Sequence, residues 1–105
     1  MATVRLSAQA RLDLLSTLEH LAEVAGPRIA RRYDDSFKRI IENLSSSAGT
    51  GSPRPHLGPE TRVASVAPYL IFYDGGPHSE AVHVLRILHG RRDITLELIS
   101  RGRDT

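Results

Sequence analysis

Cysteine is absent from these 105 residues, so neither a disulfide nor a thiolate metal site can form. Tryptophan is missing as well, and Lys38 is the one lysine among 14 basic residues, the rest being arginine. No apolar run approaches the length of a membrane span, and the first ten residues have no apolar stretch suited to a signal peptide, which predicts a cytoplasmic chain without a membrane partner. The histidines (His20, His56, His78, His83, His89) never stand four apart on one predicted helix, and no acidic cluster accompanies them, so no metal site is expected. A nucleophile elbow, a P-loop and a dinucleotide-binding glycine motif are all lacking, and no cofactor is expected.

What is present is an ordinary globular composition, 40% hydrophobic and 25% charged, in a length that suits one domain over residues 1–105. Net charge is +2 with a pI near 9.5. Arginine suits bidentate contacts to carboxylate or phosphate, but arginine-rich codon usage would give the same excess.

Thr3–Leu6 reads as a short strand, with Ser7 placed to cap the helix that follows. Leu14, Leu15, Leu18, Leu21, Ala22 and Ala25 mark one face of a helix over 8–25, with Arg11, Asp13, Glu19 and Glu23 on its wet side. Gly26-Pro27 is a break. A second helix over 27–44 carries Ala30, Tyr33, Phe37, Ile40, Ile41 and Leu44 as the stripe that packs on a sheet, antiparallel to the first helix. Residues 45–59, rich in Ser, Gly and Pro, predict a loop that is mobile in its first half. Strands follow over 62–66, 69–73 and 80–88, the last two joined by the turn Asp74-Gly75-Gly76-Pro77. The order β-α-α-β-β-β is an α+β pattern, a helical hairpin on a small antiparallel sheet. Segment 94–99 is apolar and of uncertain type, and 101–105 reads as a polar tail. Both faces of the two central strands are apolar, so one face is left needing a cover, as partner sites often are.

His89-Gly90-Arg91-Arg92-Asp93 is the densest polar cluster and suits a phosphate or carboxylate, unless Asp93 simply pairs with an arginine. Arg86 interrupts an apolar strand and therefore either pairs with a helix carboxylate or faces a groove, with Arg62 nearby. His83 reads as a packing residue. Tyr69 and Tyr73 share one strand face, as core or as the floor of a groove.

Three stretches taken together resemble the ParE branch of the RelE/ParE toxin superfamily: Leu6 to Leu14 (LSAQARLDL), Arg54 to Pro59 (RPHLGP), and Tyr69 to Tyr73 (YLIFY) with Leu85 to Asp93 (LRILHGRRD). The likeness covers nearly the whole chain in order, although the loop around 48–51 is longer than usual. The resemblance implies the toxin of a type II toxin–antitoxin pair, of the kind that stabilises plasmids, inhibits DNA gyrase and arrests growth. It implies a hetero-oligomer with a ParD-like antitoxin, which covers apolar surface at Tyr69, Leu70, Phe72 and Tyr73, and contact with DNA only through that antitoxin. The toxic surface would comprise Arg62, Arg86, His89, Arg91 and Arg92, with the segment Ile94 to Ile99 beside them. The alternatives are a RelE-type ribonuclease acting on ribosome-bound message, and a degenerate toxin that only binds its antitoxin. The nuclease pattern is incomplete: residues 45–59 contain no lysine, no tyrosine follows Tyr73, and arginine stays protonated and makes a poor base. No catalytic residue is assigned.

Overall fold

The computed structural model describes residues 2–104. Strand β1 (Thr3–Leu6) passes into helix α1 (Ala8–Ala25) at Ser7. The Ser7 hydroxyl oxygen accepts from the Ala10 N–H at 2.9 Å and donates to the Leu85 carbonyl at 2.8 Å, so one side chain caps the helix and ties it to the sheet. Gly26 has φ +92°, a conformation that favours glycine, and Pro27 opens helix α2 (Pro27–Ser47).

The segment expected as a mobile loop follows a defined path instead. A 3-10 turn (Ala48–Thr50) leads to strand β2 (Ser52–Pro53), which pairs antiparallel with β3 (Thr61–Val66). Arg62 donates to the carbonyls of Gly49 and Gly51 at 3.0 and 2.8 Å, and the Tyr73 hydroxyl donates to Ala48 and accepts from the Gly51 N–H. A Cβ at Gly51 would lie 2.1 Å from that hydroxyl oxygen, so this approach requires glycine.

Strands β4 (Tyr69–Asp74) and β5 (Ala81–His89) complete an antiparallel meander with β3, but β1 pairs parallel to β5. The sheet is therefore mixed and five-stranded, in the order β1-β5-β4-β3-β2. A register shift sets Phe72 opposite Arg86 and Tyr73 opposite Val84, leaving Leu85 as the extra residue.

The apolar segment of uncertain type and most of the expected polar tail form helix α3 (Leu96–Arg103), capped by the Thr95 hydroxyl; Thr105 lies outside the described residues. Helices α1 and α2 bury Ala10, Leu21, Phe37 and Leu44 against Tyr69, Ile71, Tyr73, Val82, Val84 and Ile87. Across the sheet, Ile99 of α3 packs with Leu57, Val63, Phe72, Leu85 and Leu88. The face for which the sequence shows no cover is thus covered by the chain's own C-terminal helix. Among the described residues, no buried side-chain nitrogen or oxygen lacks a hydrogen-bond partner.

Candidate functional site

Strand β5 runs past the end of its short neighbour β1, and the exposed part of its edge is finished by α1. Asp13 accepts from the Ile87 N–H at 3.1 Å and from Arg86 Nε and Nη2 at 2.7 and 2.9 Å, while Arg86 Nη1 donates to the Leu98 carbonyl at 2.9 Å. Arg86 is only 5% exposed. The Asp13 hydrogen bonds raise its pKa against the opposing effect of burial, and the Asp13 charge adds to them, so it stays charged. Of the two readings of Arg86, the structure has the pairing with a helix carboxylate, which takes it out of the expected toxic surface, and one expectation is corrected: Asp13 does not lie on the wet side of α1. The pair joins α1, β5 and α3.

The other expected cations divide. Arg62 is occupied by the Gly49 and Gly51 carbonyls and is not brought together with Arg86. His89, Arg91 and Arg92 do meet, in the turn that closes β5. The Arg91 N–H donates to His89 Nδ1 at 3.0 Å and the Arg92 N–H to the His89 carbonyl at 3.0 Å. With Nδ1 accepting, a neutral His89 carries its proton on Nε2. The Gly90 N–H donates to the Pro68 carbonyl at 2.8 Å, pinning the turn to the start of β4. The side chains of Arg91, Arg92 and Asp93 are exposed and form no ion pair with one another, so the expected neutralisation by Asp93 does not occur.

Tyr69 anchors this end. Its ring meets His89 edge-on at 5.3 Å and Tyr33 edge-on at 5.7 Å. Burial, with Tyr33 beside it, pushes the Tyr69 hydroxyl above its ordinary range, and it stays protonated at neutral pH. Burial raises Tyr73 too, against the Gly51 hydrogen bond and the Arg62 charge. Tyr69, Phe72 and Tyr73 are buried core, which corrects their assignment as a free antitoxin contact; of the four strand residues expected there, Leu70 alone keeps partial exposure.

A cleft of about 510 Å³ lies between α1 and this end of the sheet, lined on the sheet side by Tyr69, Leu88, His89 and Arg92. Its other wall is a stripe of α1 that the sequence does not single out: Asp13, Thr17, His20 and Val24. The signal for it is the 3–4 residue spacing on one helix side, adjacent to the apolar face. Chemically this is a hydroxyl- and imidazole-bearing groove with one free arginine, Arg92, beside an aromatic base. Among the described residues no His, Asp and Glu group gathers to hold a metal.

The family model described as the ParE toxin of the type II toxin–antitoxin system parDE matches residues 4–94. Among solved structures, the fold is similar to a chromosomal ParDE toxin–antitoxin system from P. aeruginosa, with a TM-score of 0.70 and 21% identity over 85% of this chain and 96% of that one. It is also similar to the toxin–antitoxin complex RelBE2 from Mycobacterium tuberculosis, with a TM-score of 0.59 and 26% identity over 84% of this chain and 96% of that one. No curated protein sequence matches.

Proposed function

The chain belongs to the ParE toxin family of type II toxin–antitoxin systems, and from that premise we propose that it arrests growth by binding DNA gyrase in the cytoplasm and that a ParD-like antitoxin neutralises it. One observation carries the preference for binding over catalysis. Of five expected cationic or titratable site residues, Arg62 and Arg86 are engaged in holding the fold, which leaves His89, Arg91 and Arg92 as the accessible set. Message cleavage of the RelE type needs a base at the 2′-hydroxyl and several cations around one phosphate. Two imidazoles, His20 and His89, line the cleft, and a single arginine, Arg92, lines it with them. The toxic surface on this reading is the β5 end with its cleft. The antitoxin covers the half-exposed strip Leu70, Ile94 and Leu98 beside exposed Leu96.

Induction of the chain alone, with gyrase supercoiling and cleavage of ribosome-bound message assayed in one extract, tests the reading. Arrest with lost supercoiling and intact message is expected, and Arg91→Ala with Arg92→Ala relieves both arrest and inhibition. Cut message abolished by His89→Ala moves the function to the nuclease class, and no arrest leaves antitoxin binding alone. Leu70→Asp weakens antitoxin capture with the circular dichroism spectrum intact, whereas Phe72→Asp, at a position 2% exposed, unfolds the chain.

A further inference from the structure

Arginines in this molecule fall into two populations. Arg62, Arg86, Arg101 and Arg103 each have a carboxylate or carbonyl partner. Arg28, Arg31 and Arg32, in the first two turns of α2, are exposed and form no ion pair or hydrogen bond through their side chains among the described residues, and Arg91 and Arg92 are the same. The two groups lie at one end of the molecule. Tyr33, which follows Arg32, meets Tyr69, and Tyr69 meets His89 of the turn that carries Arg91 and Arg92. On the other side, Val24 shares the cleft with His89 and Arg92, and α2 begins three residues after it. Acidic neighbours are Glu23, Asp35 and Asp93, fewer than the cations; Asp34 is taken by Lys38 at 3.1 Å.

We propose that this end of the molecule binds the phosphate backbone of duplex nucleic acid, with Arg28, Arg31 and Arg32 contacting phosphates alongside Arg91 and Arg92. A structural role does not account for the α2 arginines. The first turn of α2 contains no acidic residue, and a cation placed there opposes the helix dipole, so Arg28 costs stability where it stands. The choice of ligand rests on shape and on residue type. The five arginines stand on a helix start and a turn; Arg92 lines the cleft beside α1 and Arg32 a second pocket with Ile29, Tyr33 and Ser36, while Arg28, Arg31 and Arg91 line neither. A peptide is held in a groove or along a sheet edge, whereas exposed guanidinium groups without carboxylate partners, spread over two elements, meet an extended polyphosphate and bind its oxygens two at a time. Tyr69 is buried and Tyr33 half-buried, so neither tyrosine ring at this end is free to stack on an unpaired base, which favours a duplex over a single strand. Direct contact of this kind departs from the expectation that DNA is reached only through an antitoxin, and it does not depend on gyrase being the target.

The test is fluorescence anisotropy of a labelled 20-base-pair duplex of arbitrary sequence with the full chain, titrated at several salt concentrations. The variant Arg28→Ala/Arg31→Ala/Arg32→Ala, altered only at exposed positions outside the toxic surface proposed above, is expected to bind at least about tenfold more weakly at low salt. Its slope of log affinity against log salt falls by roughly 2.7, which is about 0.9 for each phosphate that the variant leaves unneutralised. Arg5→Ala/Arg11→Ala, which removes two other exposed arginines, leaves both quantities unchanged. Equal weakening in the two variants, or no duplex binding by the parent chain at 50 mM salt, overturns the proposal. Displacement of the duplex by a polyglutamate peptide at matched charge concentration, or much tighter binding of a single strand than of the duplex, overturns it as well.

Discussion

The two faces of the sheet are covered by different means. On one, the long helices α1 and α2 bury a continuous apolar stripe in which Phe37 is fully enclosed. On the other, the eight-residue α3 buries one large residue completely, Ile99, and is otherwise held by polar pins. Arg86 grips the Leu98 carbonyl, and Arg103 donates to Asp74 at 2.8 and 3.1 Å and to the Thr61 hydroxyl at 2.7 Å. Gly102 lets the helix backbone come so close to β5 that a Cβ there would fall 2.2 Å from the Leu85 carbonyl oxygen. A helix of this length does not stand alone in water. The contrast teaches that a short helix with little apolar area is placed by directional bonds and close backbone approach, and a long amphipathic one by area.

The most damaging single change joins the two faces. Arg86→Ala leaves the largely enclosed Asp13 carboxylate, 12% exposed, without its partner and is expected to cost about 3–5 kcal/mol in urea denaturation, because both faces lose an anchor. A cost under 1 kcal/mol would mean that the pair is dispensable. A matched pair of truncations sharpens the comparison. Phe37→Ala and Ile99→Ala should each cost roughly 2–5 kcal/mol, but Phe37→Ala lowers hydrogen-exchange protection throughout the chain, while Ile99→Ala lowers it chiefly in α3. Uniform deprotection in both would show a single cooperative unit. Gly102→Ala forces α3 off the Leu85 carbonyl and is expected to cost about 1–3 kcal/mol, with chemical shifts moving in α3 and β5 but not in α2.

The smallest effect is on pH. Burial pushes the Asp74 carboxyl up, but hydrogen bonds from Arg103 and Thr61 and the charges of Arg103 and His83 outweigh it and hold the group below its ordinary value of 3.8. A depressed carboxylate stabilises the fold fully above its unfolded value and loses that contribution as pH falls through the lower folded one. In acid below about pH 3.8, α3 should therefore gain exchange rate before α1 and α2 do, and Asp74→Asn should remove the difference. Equal acid sensitivity in the parent and Asp74→Asn would show that the Arg103 pin contributes nothing.

Legibility of the sequence follows the same division. The 3–4 residue periodicity of Tyr33, Phe37, Ile40, Ile41 and Leu44 and the aromatic strand Tyr69–Tyr73 declare the hairpin and the sheet, because area-driven packing leaves a repeating pattern. The order of residues 45–59 is invisible locally because it comes from Arg62 and Tyr73, which lie 11 to 25 residues away from the groups they hold. In the same way, Asp13 looks like one more exposed acid on α1, and nothing local pairs it with Arg86, 73 residues on. The cluster His89, Arg91 and Arg92 is visible as a run of polar residues after a strand, but its neighbours His20 and Val24 belong to a different element.

By itself the sequence determined the α+β class, the helix break at Gly26-Pro27 and the toxin family, since each depends on local propensity or on an ordered series of short motifs. Only the tertiary structure decided which arginines are free. A guanidinium is equally charged in every context, and whether it holds the fold or faces outward depends on which carboxylate or carbonyl the folded chain brings within about 3 Å of it.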